Sequence, residues 1–318
     1  VSEVTEVSAS NILDGKAVSA QIRGEIAADV HHLTARGFRP PGLAAILVGD
    51  NPASQVYVGS KTKACAKAGM ESWTIRLPAT LSEADLAAAI RRLNEDDRVD
   101  GILLQLPLPK GLSERRMLDL IDPDKDVDGF HPINVGRLWA DEDAFVSATP
   151  AGILELLRRS DVTLAGRHAV VVGRSLIVGK PMAALLLREN ATVTICHSRT
   201  RDLAALCRQA DVLVAAVGRT ALIGADHVRE GAVVIDVGMN RITDRDELER
   251  LYPGDAQRRE TFERRGSVLT GDVDFTAVAP KAAGITPVPG GVGPLTVTMV
   301  IANTLKAARR RQNVPEGP

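Results

Sequence analysis

The chain reads as an α/β protein of two domains, each built on a mainly parallel sheet. Three observations lead there. The 318 residues suffice for about two domains. A 45% hydrophobic content beside 25% charged residues is that of a globular chain with a sizeable core. Short apolar runs alternate with helical stretches almost throughout, the mark of strand–helix–strand units.

In the first half, 43–48, 72–77 and 101–106 read as strands. Asn51-Pro52-Ala53-Ser54 follows the first of them through Val48-Gly49-Asp50, so a turn and a helix are expected there. Ser82-Glu83-Ala84-Asp85 opens an Ala/Leu-rich run as a capping box. Residues 122–132, rich in Asp, Pro and Gly, form a loop. Thr149 suits an N-cap and Pro150 a first helical residue, which places a boundary there. In the second half, 169–172, 192–196, 212–217 and 233–237 are β-branched runs bounded by turns, as buried parallel strands are. The densely charged segment 244–265 reads as a solvated surface excursion, with a lid or a partner site as alternatives. After the Gly- and Pro-rich run 286–294, one long helix ends the chain, and its Arg309-Arg310-Arg311 complements the helix dipole.

A formal net charge of −1 gives no case for nucleic acid or an anionic membrane as partner. Cys65, Cys196 and Cys207 are odd in number and widely spaced, with no Cys-x-x-Cys. That argues against a disulfide framework and a structural zinc site, and no metal is expected. No stretch is long and apolar enough to span a bilayer. Residues 1–10 are polar and acidic, without a signal-peptide apolar region, and are expected to be a flexible tail. A reducing, cytoplasmic setting is the expectation.

Tyr57 and Lys61 stand at i and i+4 of the helix after the first strand, so a phenol and an amine share one face. That lies past a strand end, where open α/β sheets bind ligands. The alternative is an amphipathic helix with a snorkelling lysine. In the second half, Val172-Gly173-Arg174-Ser175 leaves a strand and Gly179-Lys180-Pro181 opens a helix. Glycines permit close backbone approach to phosphate, and a helix N-terminus favours an anion. The spacing is not G-x-G-x-x-G, and a plain packing turn is the alternative. The next strand ends in His197-Ser198-Arg199-Thr200, without the acid that holds a ribose 2′-hydroxyl in NAD sites. Arg174, Ser198 and Arg199 suit a 2′-phosphate instead, which favours NADP. Gly218 and Gly238-Met239 end strands and admit either the nicotinamide half of a cofactor or ordinary turns.

Five motifs occur in order: Tyr57 with Lys61; Gln105-Leu106-Pro107-Leu108-Pro109; Lys125-Asp126-Val127-Asp128-Gly129-Phe130; the stretch from Gly173 to Pro181; and Thr286-Pro287-Val288-Pro289-Gly290-Gly291-Val292-Gly293-Pro294. Together, over residues 12–308, they resemble the bifunctional methylenetetrahydrofolate dehydrogenase/methenyltetrahydrofolate cyclohydrolase family. The resemblance implies a catalytic folate-binding domain at 11–148 and 292–312, completed by the C-terminal helix, and a Rossmann-type NADP-binding domain at 149–291. It also implies NADP as cofactor, a small-molecule folate substrate, and a homodimer built mainly through the nucleotide domain. On it, Lys61 corresponds to the essential lysine, Gln105 to the glutamine that holds it, and Tyr57 to the residue flanking the folate. Asp128 corresponds to the pterin anchor, with an Asx-turn role as the alternative. Pro289, Gly290 and Gly293 correspond to substrate-loop residues, and Thr149, Gly173, Arg174, Ser175, Gly179, Ser198, Arg199, Gly218 and Met239 to cofactor contacts.

The chain departs from the family in three places. Ser147-Ala148-Thr149-Pro150 stands for Pro-Cys-Thr-Pro, Leu295 stands where methionine is common, and 244–265 is unusually long. Competing readings are a dehydrogenase without the hydrolase, another two-domain NADP oxidoreductase of shikimate-dehydrogenase type, and a non-catalytic binding protein on the same fold.

Overall fold

A computed structural model describes residues 11–315, so the expected tail at 1–10 lies outside the described residues. The chain divides into two compact units. The first holds Ser19–Ala151 and the chain from Thr296 onward; the second holds Gly152–Leu295 and the described residues up to Val18.

In the first unit, β1 (Gly42–Val48), β2 (Glu71–Leu77) and β3 (Gly101–Leu104) form a parallel sheet in the order β2-β1-β3. β1 is central and buried at every residue, which is why its sequence is apolar without alternation. The chain crosses over through α2 (Pro52–Lys67) and α3 (Glu83–Glu95). Asn51 caps α2, its side-chain oxygen accepting from the Ala53 and Ser54 N–H groups at 2.9 and 3.2 Å. Ser82 caps α3 through the Asp85 N–H at 3.1 Å, but it donates its hydroxyl to the Asp85 carboxylate at 2.6 Å. The expected capping box is thus only half formed. Ala44, Ile46, Leu86, Ile90, Ile102 and Leu104 make the core between sheet and helices.

The unit boundaries fall within α1 (Gly15–Ala35), α6 (Ala148–Arg159) and α12 (Val292–Arg311). α6 begins at Ala148, so Thr149 lies in the first turn rather than at the cap, and its hydroxyl shares a hydrogen bond of 2.9 Å with that of Thr296. α12 begins inside the Gly/Pro run rather than after it. Its terminal arginines do more than face a dipole: Arg309 pairs with Asp29 at 3.0 Å, Arg310 with Asp143, and Arg311 with Asp97 at 3.4 Å.

In the second unit, β4 (His168–Val172), β5 (Thr192–Cys196), β6 (Val212–Ala215), β7 (Val233–Asp236) and β10 (Gly284–Ile285) form a parallel sheet in the order β10-β7-β6-β4-β5. Counted from β4 this is a doubly wound 2-1-3-4-5 arrangement, whose strand order reverses beside β4. β3 and β6 each end two residues before the sequence suggests, so Gln105 and Val217 lie just past their strands.

The charged segment departs most from expectation. β8 (Asn240–Ile242) pairs antiparallel with β9 (Val268–Thr270), and α9 (Arg245–Leu251) and α10 (Ala256–Arg265) stand between them. Ile242, Leu248, Leu251, Tyr252 and Val268 are buried together, with Phe262 and Phe275 packed against them. α10 has no buried residue, but the segment as a whole carries its own small core. Leu248 and Leu251 share one face of α9 and Tyr252 is its C-cap, a short apolar pattern that the surrounding charges mask in the sequence.

Candidate active site

Asp128 owes its position to its neighbours. Lys125 is fully buried, and its Nζ donates to the Leu93 and Asp96 carbonyls at 2.9 and 2.8 Å. The Asp126 carboxylate accepts from the Phe130 and His131 N–H groups and from Asn134 Nδ2 at 3.2, 2.8 and 3.0 Å. Asp126, not Asp128, is therefore the turn residue. The fully buried Val127 holds its carbonyl on Asn303 Nδ2 at 2.8 Å. Gly129 adopts φ 70°, where a Cβ would lie 2.5 Å from the Ser147 nitrogen. With both neighbours locked, Asp128 projects half-buried. Loss of hydration pushes its carboxyl above the usual range, while the charge on Lys61 pulls it back.

Lys61 is only 6% exposed, on the α2 face that also carries the half-buried Tyr57. Burial raises the Tyr57 phenol. Gln105 donates Nε2 to the Leu106 carbonyl at 2.7 Å. A carbonyl can only accept, so this bond fixes which end of the amide is oxygen. Its Oε1 is buried and accepts no hydrogen bond. A buried acceptor without a donor costs about 1–3 kcal/mol, a cost that a ligand or a moving amine can relieve.

In the second unit, Gly173 follows β4 at φ 139°, and a Cβ there would lie 2.3 Å from the Ala216 carbonyl oxygen. A Cβ on Gly179 would lie 2.2 Å from the Gly173 oxygen. Only glycines let these strand-end segments approach each other beside β4. Ser175 Oγ accepts from the Val178 and Gly179 N–H groups at 3.1 and 3.3 Å and shapes the entry to α7 (Gly179–Arg188). Arg174, Ser198 and Arg199 are exposed, and no carboxylate follows β5 in the run His197-Ser198-Arg199-Thr200-Arg201. The cradle therefore fits a dinucleotide carrying an extra phosphate. Met239 and Gly218 are exposed past β7 and β6. Thr149 belongs to the first unit, with Lys61, and not to the second with the other nucleotide candidates.

Two carboxylates that sequence reasoning passed over organise the second unit. Asp272 accepts from the Val217, Gly218 and Arg219 N–H groups at 2.6, 3.0 and 2.9 Å, fixing the backbone after β6. Asp236, at the end of β7, accepts from the Gly238, Asp272 and Val273 N–H groups at 2.9, 2.8 and 3.0 Å. Burial pushes Asp236 up to about 7, against the pull of those three donors. Its own N–H donates to Thr286 Oγ1 at 2.7 Å, at the entrance of the loop that carries Pro289, Gly290 and Gly293. The signal available was Gly271-Asp272-Val273, a small acidic motif placed directly after β9.

Comparison with known proteins also divides the chain in two, although the second match includes residues 296–312, which belong to the first unit. The family description tetrahydrofolate dehydrogenase/cyclohydrolase, catalytic domain, matches residues 13–128. The corresponding NAD(P)-binding domain matches residues 147–312. The chain is 54% identical over 303 residues to the bifunctional protein FolD of Koribacter versatilis, covering 95% of this chain and 98% of that one. Its structure is similar to the bifunctional FolD of Campylobacter jejuni, with a TM-score of 0.86 at 44% identity over 94% of this chain and 99% of that one. It is also similar to the Trypanosoma brucei dehydrogenase-cyclohydrolase complexed with NADP cofactor and inhibitor, with a TM-score of 0.83 at 39% identity over 93% and 96% of the two chains. Two family matches that divide the sequence between them, and relatives similar over nearly its whole length, make the chain a member of the tetrahydrofolate dehydrogenase/cyclohydrolase family.

Proposed function

We propose that this protein is a bifunctional one-carbon enzyme. It oxidises 5,10-methylenetetrahydrofolate to the 5,10-methenyl form with NADP, then hydrolyses that form to 10-formyltetrahydrofolate. NADP, when bound, accepts the hydride that leaves the methylene carbon. Every other task falls to the chain. Asp128 accepts N–H groups from the aminopyrimidine edge of the pterin and holds the substrate for both reactions. The Tyr57 ring packs on the flat part of the folate. Lys61 polarises the water that adds to the methenyl carbon and moves a proton as the ring C–N bond breaks. Gln105 offers its Oε1 to the Lys61 amine and keeps it oriented. Pro289, Gly290 and Gly293 line the folate with little side-chain bulk. Thr149, Gly173, Arg174, Ser175, Gly179, Ser198, Arg199, Gly218 and Met239 take the cofactor, with Arg174 and Arg199 on the 2′-phosphate.

The observation that carries this reading is the setting of Lys61. A nearly buried amine acts on the charge of a half-buried Asp128, in a unit where Gln105 keeps an unpaired buried oxygen. Neither a snorkelling lysine nor a turn aspartate accounts for that grouping. Purified protein given methylenetetrahydrofolate and NADP should produce a transient methenyl absorbance that rises and then decays faster than in buffer. A rise without accelerated decay would leave only the dehydrogenase, and no rise would defeat the reading.

The folate chemistry is assigned to 11–148 with 292–312, and NADP to 149–291. A homodimer through the second unit is part of the same reading. It is supported by β5, an edge strand that leaves Ile195 exposed. Among the described residues no helix is long and apolar enough to cross a membrane, and a cytoplasmic place of work is proposed. Sedimentation of the purified protein and cell fractionation test the two.

A further inference from the structure

The charged segment delivers one side chain to the loop that carries Pro289, Gly290 and Gly293. That side chain is Arg258, on the first turn of α10. Its Nη2 donates to the Val288 carbonyl at 2.8 Å, and its Nη1 to the Leu269 carbonyl in β9 at 2.8 Å. Its Nε pairs with Asp255 at 3.2 Å. The guanidinium lies 3.8 Å from the centre of the Tyr252 ring, and the Tyr252 hydroxyl shares a hydrogen bond of 2.6 Å with Thr270. The side chain is 18% exposed, and each of its three nitrogens has a protein partner.

The loop is thus held at three places. Thr286 is tied to the Asp236 backbone at 2.7 Å, and the Gly291 N–H closes on the Pro287 carbonyl at 2.8 Å. Between them, the Val288 carbonyl is held by Arg258 across thirty residues of sequence. The peptide that Arg258 grips is the one that leads directly into Pro289 and Gly290. Turning that carbonyl away would swing both residues with it.

We propose that Arg258 is a positioning residue for the folate-binding loop, and that the two-helix segment serves to deliver it. Arg258 acts through the Val288 carbonyl and touches no substrate. The proposal rests on the reading of 286–294 as a folate loop. A fixed loop presents its ligand contacts without an ordering cost at each binding event. Losing the fixation should weaken folate binding and leave NADP binding alone.

The test compares Arg258→Ala with Tyr252→Phe. The second variant removes a hydroxyl bond from the same small core but keeps the ring beneath Arg258, so it reports mere loosening of the segment. Arg258→Ala should raise the methylenetetrahydrofolate KM about tenfold, which converts to about 1.4 kcal/mol. The NADP KM should stay within about twofold, and added guanidinium ion at millimolar concentration should recover part of the loss. Hydrogen exchange of the Gly290 and Gly291 amides should quicken in Arg258→Ala but not in Tyr252→Phe. Unchanged exchange, or equal KM effects from the two variants, overturns the positioning role. Faster exchange with an unchanged folate KM overturns the assignment of the loop to folate, and the proposal falls with it.

Discussion

The charge on Lys61 opposes the burial that lifts the Asp128 carboxyl. The residue assigned to hydrolysis and the residue assigned to the pterin are thereby electrostatically linked. Removing either changes the field at the other, so their substitutions should not be additive.

Asp128→Ala should weaken folate binding and so lower both activities, while NADP still binds. A pterin anchor serves oxidation and hydrolysis alike, whereas the phosphate cradle lies in the other unit. Titration of the variant with each ligand decides it: unchanged folate affinity removes the anchor role. The raised Asp128 also sets a pH dependence. The carboxylate form accepts the pterin N–H groups, and protonation removes acceptor capacity. Folate affinity should therefore fall as acid is added, beginning above the pH at which an ordinary aspartate titrates. A folate KM flat down to about pH 4 contradicts that.

Arg174→Ala should raise the NADP KM by about tenfold, with little change in kcat, because it removes one charge-assisted contact to the 2′-phosphate. NAD use should change far less. Equal use of NAD and NADP by the unaltered protein would show that Arg174, Ser198 and Arg199 do not read that phosphate.

Asp236 should make the second unit's stability depend on pH. Its folded pKa is raised to about 7 from 3.8, so between those values the folded state holds more proton than the unfolded one. Stability from this group is fully present below about pH 4 and is lost as pH rises toward about 7, by up to about 1.4 kcal/mol per pH unit. Asp236→Asn removes the slope and also loses part of the acceptor set, so it should be less stable, with a gap to the parent that narrows from pH 5 to pH 7. Urea midpoints at those pH values test it; a gap that widens gives the sign the lie.

Much of this was legible in the sequence because burial and turn chemistry leave local marks. The continuous apolar run in β1 and the β-branched runs of β4 and β6 signal strands covered on both faces. Gly173 and Gly179 stand out because no other residue fits their backbone approach. What escaped was long-range. Asp236 and Asp272 look like ordinary strand-end acids until their N–H partners are seen from separate segments. Arg258 is one arginine among many in a charged run, and only the fold carries it to Val288. The apolar face of α9 is Leu248 and Leu251, too little to stand out among acids and bases. The half-formed box at Ser82 and the early start of α6 are local competitions between side chain and backbone, which sequence pattern resolves only to within a residue or two.

The most direct test of the central claim is the separate timing of methenyl formation and decay in Lys61→Met. Methionine keeps the length and the apolar stem and removes the proton site, so α2 should pack as before. General acid–base help is worth about 10²–10⁴-fold, and hydrolysis depends on it more than hydride transfer, which is chiefly a matter of alignment. After correction for spontaneous hydrolysis, catalysed methenyl decay should fall to near zero, while part of the NADP-dependent formation survives. Decay at the parent's rate in the Lys61→Met protein would show that Lys61 does not carry the hydrolysis.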